Sequence, residues 1–334
     1  MIFRCTPPDM MTFLQGGSAW KIFAEGEIDA DAGNRLEKAL LQNHVPSGSQ
    51  IYINSNGGSL VGGLDLGRVI RNHALVSYVG KEGKFEKGFQ FHESGSCMSA
   101  AAIAYLGGQH RFIDLNSLFG VHRFSLASGD KDNVDYAQML SATVIEYIQS
   151  MGISTELFAL AADVPADDIL IVPHETLRRL RVVNDGQGAT IWTIEALKEG
   201  LYLKGARETV YGIQKFLVVF PSEGDPYLHV IFDGGELVEQ IMDMGADRIA
   251  INDEFIDLSS LRISRLIDNG NINCIYKLNS EIMSKIQKAQ TVGYVLQHSE
   301  GAAVYVGFES MPFDAGLKLQ GLLEVFHRSD RLTK

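Results

Sequence analysis

A chain of 334 residues, 46% hydrophobic and 21% charged, has an ordinary globular composition and the length for about two domains. Its formal charge of −12 repels phosphate backbones, and Lys and Arg are scattered rather than clustered on a stripe, so nucleic acid is not an expected partner. Apolar runs such as Phe216 to Phe220 fall far short of the about 18 residues that a bilayer span requires, and Cys5, Cys97 and Cys274 are too few and too far apart for a disulfide framework or a zinc site.

The start, Met1 to Leu14, lacks the continuous apolar stretch of a secretory signal. The chain as written therefore reads as cytoplasmic, or as periplasmic if a signal peptide has been removed. From Trp20 onward strand-like and helix-like segments alternate, the pattern of layered α/β proteins. Trp20 to Ala24 is a strand, and Asp31 to Leu41 an amphipathic helix with Leu36, Ala39 and Leu40 on one face. Gln50 to Asn54 is a strand ending in the turn Asn56-Gly57-Gly58, and Leu60 to Asn72 the helix that follows. Leu75 to Val79 is a strand, Ser99 to Leu106 a short helix of small residues, and Arg111 to Asp114 and Leu118 to His122 two further strands. Val134 to Met151 and Thr155 to Ala162 are helices.

Composition shifts at Asn184-Asp185-Gly186-Gln187-Gly188, a turn-rich cluster that sets a boundary between residues 1–185 and 186–334. Beyond it, Tyr227 to Phe232, Glu236 to Met244 and Arg248 to Asn252 read strand, helix, strand. Ile272 to Leu278, Ser280 to Ala289 and Val292 to Gln297 repeat that order, a weak duplication. This second domain is expected to be α+β and carries no recognisable catalytic spacing, so it reads as an accessory or interaction module.

Chemistry-bearing residues concentrate in the first half. Gly57 and Gly58 stand between an apolar strand and a helix, where glycine permits positive φ and lets exposed N–H groups approach a negative oxygen. Alone, such a pair is only a tight turn. Gly95-Ser96-Cys97-Met98-Ser99-Ala100-Ala101-Ala102 opens a helix, and a serine there is either a nucleophile or an N-cap. His122 ends an apolar strand, a place more often structural than basic. His110 and His174 read as surface residues.

Taken in order, Asn54-Ser55-Asn56-Gly57-Gly58, Cys97-Met98-Ser99-Ala100-Ala101, Gly108-Gln109-His110-Arg111 and Gly120-Val121-His122 resemble the ClpP/crotonase superfamily over about Trp20 to Asp185. In particular they resemble ClpP-like proteins, often described as periplasmic, with a Cys-x-Ser-Ala nucleophile motif. The resemblance implies an α/β fold, a spiral of ββα units, followed here by the C-terminal α+β domain. It assigns Ser99 as nucleophile, His122 as base and Asp168 as the third triad member, with an oxyanion hole from Gly57, Gly58 and Ala100. Cys97 competes with Ser99, since a thiol can pair with histidine, and Asp167 competes with Asp168.

The reading that follows is a serine hydrolase, a ClpP-like peptidase cleaving a peptide or acyl bond without metal or organic cofactor, and forming a homo-oligomer. Its rival is a catalytically inactive scaffold that recruits a protein partner through the C-terminal domain. Crotonase-type acyl-CoA chemistry, which needs no Ser/His pair, is disfavoured. Two features depart from the ClpP pattern: the second domain, and Gly80 to Glu93, a charged, glycine-containing segment that reads as a mobile loop beside the nucleophile, forming a lid or a specificity element, or else as an exposed hairpin.

Overall fold

The apolar strands and amphipathic helices assemble in a computed structural model that describes residues 1–9, 18–86, 88–124, 131–198, 200–235, 238–299, 302 and 305–332. Its contacts divide the chain into two units, Met1–Gly186 and Gln187–Lys334.

In chain order the first unit comprises β1 (Ile2–Thr6), β2 (Lys21–Glu25), α1 (Ala32–Gln42), β3 (Gln50–Asn54), α2 (Leu60–Asn72), β4 (Val76–Glu86), β5 (Phe89–Ser94), β6 (Ser96–Met98), α3 (Ala100–Tyr105), β7 (Arg111–Ile113), β8 (Leu118–Val121), α4 (Lys131–Ser150), α5 (Glu156–Ala162), β9 (Leu170–Ile171) and α6 (His174–Arg179). Strands β2, β3, β4 and β7 run parallel, with β1 and β5 added antiparallel at the two sides. Ile22, Ala24, Ile51, Ile53 and Val79 are fully buried between sheet and helices, as expected of parallel strands covered by helices. On the other face Phe23, Tyr52, Tyr78 and Phe112 stack across neighbouring strands, with ring centroids 5.3, 4.8 and 5.0 Å apart. A second small sheet orders β6, β8 and β9.

The segment Gly80 to Glu93 takes the hairpin form of its two readings. β4 continues past Val79 to Glu86 and returns as β5, so the charged stretch is a paired hairpin; Lys87 lies outside the described residues. Cross-strand pairing accounts for it, since Lys81 meets Glu93 at 3.3 Å and opposite charges on facing strands favour the ladder. His110 also differs from expectation, being buried, while His174 is half-buried with Nε2 3.2 Å from the Ser117 carbonyl.

Helix α2 packs against α3 through glycine. A Cβ on Gly63 would lie 2.5 Å from the Ala100 carbonyl, so only glycine permits that approach. Buried Arg111 ties the far end of α3 down, with Nε 2.9 Å from the Val182 carbonyl, Nη1 2.5 Å from that of Gly108 and Nη2 2.9 Å from that of Arg181. On α4, Tyr147 donates to the Ile103 carbonyl at 3.0 Å.

The second unit is built from β10 (Ile191–Leu197), β11 (Gly200–Thr209), β12 (Gly212–Pro221), β13 (Tyr227–Asp233), α7 (Val238–Met242), β14 (Ala246–Ile251), β15 (Glu254–Asp257), β16 (Arg262–Asp268), β17 (Asn271–Lys277), α8 (Ser280–Gln287), β18 (Thr291–Gln297), β19 (Val306–Pro312) and α9 (Gly316–Leu332). The sheet orders are β10-β11-β12-β13-β17-β16 and β15-β14-β18-β19. The two strand-helix-strand segments sit in related places: β13 pairs with β17 in one sheet, and β14 with β18 in the other, both antiparallel. The helix start expected at Glu236 lies outside the described residues.

One buried carboxylate joins these sheets. Asp247, fully buried on β14, accepts from Tyr276 at 2.5 Å, Tyr294 at 2.7 Å, Arg265 at 2.6 Å and Arg262 at 2.9 Å. Burial raises both phenols' pKa values. Asp247→Ala would leave Arg265 charged and unpaired in the interior, a change that costs about 3–5 kcal/mol. Hydrogen exchange should show residues 187–334 losing protection while residues 1–186 keep theirs.

Candidate active site

Ser99 occupies the turn between β6 and α3 with φ 57° and ψ −122°, a left-sided conformation that a residue with a Cβ rarely adopts and that costs on the order of 1–3 kcal/mol. Hydrogen bonds hold it from both sides. The Ser99 amide donates to the Gly120 carbonyl of β8 at 2.9 Å, and the Met98 amide to the Ser55 carbonyl at 3.0 Å. The Ser99 hydroxyl caps no amide of α3, so the N-cap role that the sequence allows is not the one it fills. A sharp strand-to-helix turn of this kind is how nucleophilic serines are held out of a sheet.

Gly57 explains why the turn fits. Its φ is 103°, and a Cβ there would lie 2.8 Å from both the Met98 carbonyl and Ser99 Cβ, and 3.1 Å from the Ala100 nitrogen. The Gly57 amide donates to Ser55 Oγ at 3.1 Å. By contrast, neither the Gly58 nor the Ala100 amide donates a hydrogen bond to the backbone among the described residues.

His122 follows β8, half-buried, with Nδ1 2.9 Å from the Arg123 carbonyl. A carbonyl only accepts, so Nδ1 carries the proton and Nε2 the free lone pair. Ser99, Gly58, Ala100 and His122 together line a cavity of about 660 Å³ walled by α3, α4 and α5.

The remaining candidates lie elsewhere. Cys97, two residues before Ser99, points into the core with no exposed surface, its Sγ 3.5 Å from the Ala101 carbonyl. Burial pushes its pKa well above the ordinary thiol value, so it stays protonated and out of reach of the cavity. Asp168 is exposed, and its Oδ1 accepts from the Ile169 amide at 2.7 Å; Asp167 is exposed as well. Neither carboxylate hydrogen-bonds His122 among the described residues. Sequence reasoning missed the Arg123 carbonyl, because a main-chain partner leaves no mark in residue identity.

Comparison with known proteins adds a likeness among solved structures. Neither a family model nor a curated protein matches the chain. Among solved structures, a single-residue mutant of ClpP1 from Listeria monocytogenes is similar at 18% identity and a TM-score of 0.38, over 49% of this chain and 88% of that one. Among the described residues no helix is long and apolar enough to cross a membrane.

Two substitutions test the strained turn. Ser99→Gly should raise the unfolding free energy of the first unit by about 1 kcal/mol, because glycine tolerates this φ; a lower melting temperature would contradict the strain. Gly57→Ala should displace the Met98–Ala100 backbone, and hydrogen exchange in α3 should rise well beyond the change seen in α1.

Proposed function

We propose that the chain is a serine hydrolase of the ClpP/crotonase type, folded in that superfamily's spiral, with Ser99 as nucleophile and His122 as base. The observation that carries this reading is the strained Ser99 turn opening on a cavity that His122 shares and that Gly58 and Ala100, whose amides donate to no backbone carbonyl among the described residues, also line. Ser99 Oγ attacks an acyl carbon as His122 Nε2 takes its proton. The Gly58 and Ala100 amides receive the developing oxyanion, while Gly57 contributes the close fit. His122 then protonates the leaving group, and water releases the acyl product by the reverse sequence.

Asp168 is the proposed third member. β9, which begins two residues after Asp168, pairs through Gly120–Ile171 and Val121–Leu170 with β8, which ends one residue before His122. The Arg123 carbonyl already fixes the imidazole tautomer, so loss of the carboxylate removes charge stabilisation but not orientation. Self-association is proposed through α4, where Tyr136 and Met139 are exposed; Leu140 and Tyr147, apolar residues of the same helix, are buried within their own unit and are not available for it. The unit Gln187–Lys334 is assigned an interaction role.

A fluorophosphonate probe should label the wild-type protein, and both Ser99→Ala and His122→Ala should abolish labelling and esterase activity. Cys97→Ala should retain most activity, and iodoacetamide should leave it intact. Asp168→Ala should cost about tenfold in kcat, far less than either partner. Absence of labelling and of cleavage across a broad ester and peptide panel would sink the hydrolase and leave an inactive scaffold. Light scattering at micromolar concentration should report a particle larger than the 36.7 kDa chain; a monomer would remove the α4 interface.

A further inference from the structure

A second cavity, of about 540 Å³, is lined by residues of the unit Gln187–Lys334, a size common among small-molecule sites. Strand register builds its wall. Arg207 on β11 pairs with Gln214 on β12, and Gln214 with Phe232 on β13, so the three side chains stand in one row on the same face of the sheet. From β19 comes Phe308, whose ring centroid lies 6.0 Å from the Arg207 guanidinium carbon. The turn joining β11 to β12 adds Tyr211, a largely exposed ring.

Both signs of charge reach this cavity. Arg207 is only 4% exposed, and burial pushes its pKa down to about 10, which leaves it a cation at neutral pH. Its Nε donates to Gln214 Oε1 at 2.8 Å and its Nη1 to Gln187 Oε1 at 3.0 Å. Those two oxygens are neutral amides, whereas Arg265 of the same unit meets the Asp247 carboxylate at 2.6 Å. A charge-assisted bond to a carboxylate is about twice as strong as one to a neutral acceptor. Gln187 and Gln214 line the cavity themselves, so an entering carboxylate can take the place of either amide on the guanidinium. Asp233, exposed at the end of β13, lines the cavity as well, with Oδ1 accepting from the Gly235 amide at 2.8 Å. It repels a second negative charge on an occupant and attracts an ammonium group.

We infer that this cavity binds a zwitterion of the amino-acid class, a free amino acid or a short peptide, whose terminal residue carries an aromatic or large apolar side chain. The carboxylate bonds to Arg207, the ammonium group faces Asp233, and the side chain lies against Phe232, Phe308 and Tyr211. Aromatic walls favour an aromatic guest beyond the area they cover, and the fixed guanidinium favours the planar, two-oxygen carboxylate over a single acceptor. The inference uses residues of the second unit alone and stands whether or not Ser99 is a nucleophile.

Calorimetry on the whole chain tests this with L-phenylalanine and L-alanyl-L-phenylalanine as probes, the dipeptide being measured on Ser99→Ala so that cleavage does not intrude. At least one should bind, and the tighter of the two names the source as free amino acid or peptide. L-Phenylalaninamide, which keeps the ring and the ammonium group but lacks the carboxylate, should bind at least about tenfold more weakly than L-phenylalanine. Arg207→Met should weaken the bound probe by a similar factor, and Tyr211→Ala by about fivefold. Asp233→Asn should cost L-phenylalanine up to about fivefold and leave N-acetyl-L-phenylalanine, which has no ammonium group, unchanged. Should circular dichroism show Arg207→Met misfolded, the two substitutions at exposed positions, Tyr211→Ala and Asp233→Asn, decide alone. Binding that is the same in wild type and in these variants would place the probe elsewhere and overturn the site. Equal affinity for L-phenylalanine and its amide would overturn the carboxylate contact and with it the inference, as would no binding of either probe up to about 10 mM.

Discussion

The candidate site depends on one close approach, that of the Gly57 main chain to the turn at Ser99. With no side chain on Gly57, the end of β3 comes within contact of the Ser99 Cβ and the Ala100 nitrogen, and the hydrogen bonds that the Met98 and Ser99 amides donate to the Ser55 and Gly120 carbonyls then hold Ser99 at a φ it would not choose. Strain of that kind persists only where surrounding structure over-determines it. Here three segments far apart in sequence, the ends of β3, β6 and β8, supply the constraint together. The Gly58 and Ala100 amides have no main-chain acceptors among the described residues, and both residues line the cavity with Ser99.

In the proposed reaction, His122 separates two tasks that a carboxylate usually performs at once. Orienting an imidazole needs only an acceptor at Nδ1, and the Arg123 carbonyl at 2.9 Å is sufficient for that. Stabilising the imidazolium formed during proton transfer needs negative charge nearby, which a neutral carbonyl supplies weakly. A carboxylate that approaches only later in the reaction would improve the second task without being needed for the first.

Much of the first unit was legible because its periodicity and its punctuation agree. Gln50–Asn54 and Leu60–Asn72 end where the apolar runs and the glycine turn say they should. The β4–β5 hairpin was legible only as one of two readings, since lysines and glutamates that pair across strands look, one residue at a time, like a solvated loop. In the second unit the strand-helix-strand pair was visible, but the β10–β12 meander and α9 were not marked off by turns strong enough to read. Asp247 was equally silent: a single aspartate before an apolar strand does not reveal that two arginines and two tyrosines from other strands converge on it. Ser99 and Cys97 could not be separated by motif alone, because either fits a nucleophile beside a histidine. Geometry separates them by the two-residue repeat of β6, which turns Cys97 inward, and by the turn that breaks this repeat at Ser99.

Helix α3 links the rigid part of the site to its open part. On one side Gly63 of α2 admits the Ala100 carbonyl at a distance no other residue would allow, and beyond the helix end buried Arg111 ties the Gly108 carbonyl to those of Arg181 and Val182. On the other side Ile103 and Leu106 face the cavity toward α4 and α5. Preorganisation requires a nucleophile that does not move when its ligand arrives, and a ligand requires space that side chains have not already filled. Both demands fall on six residues of helix. They are compatible because the tight contacts are made by main chain and glycine, which leaves the larger apolar side chains to shape the space that a substrate would occupy.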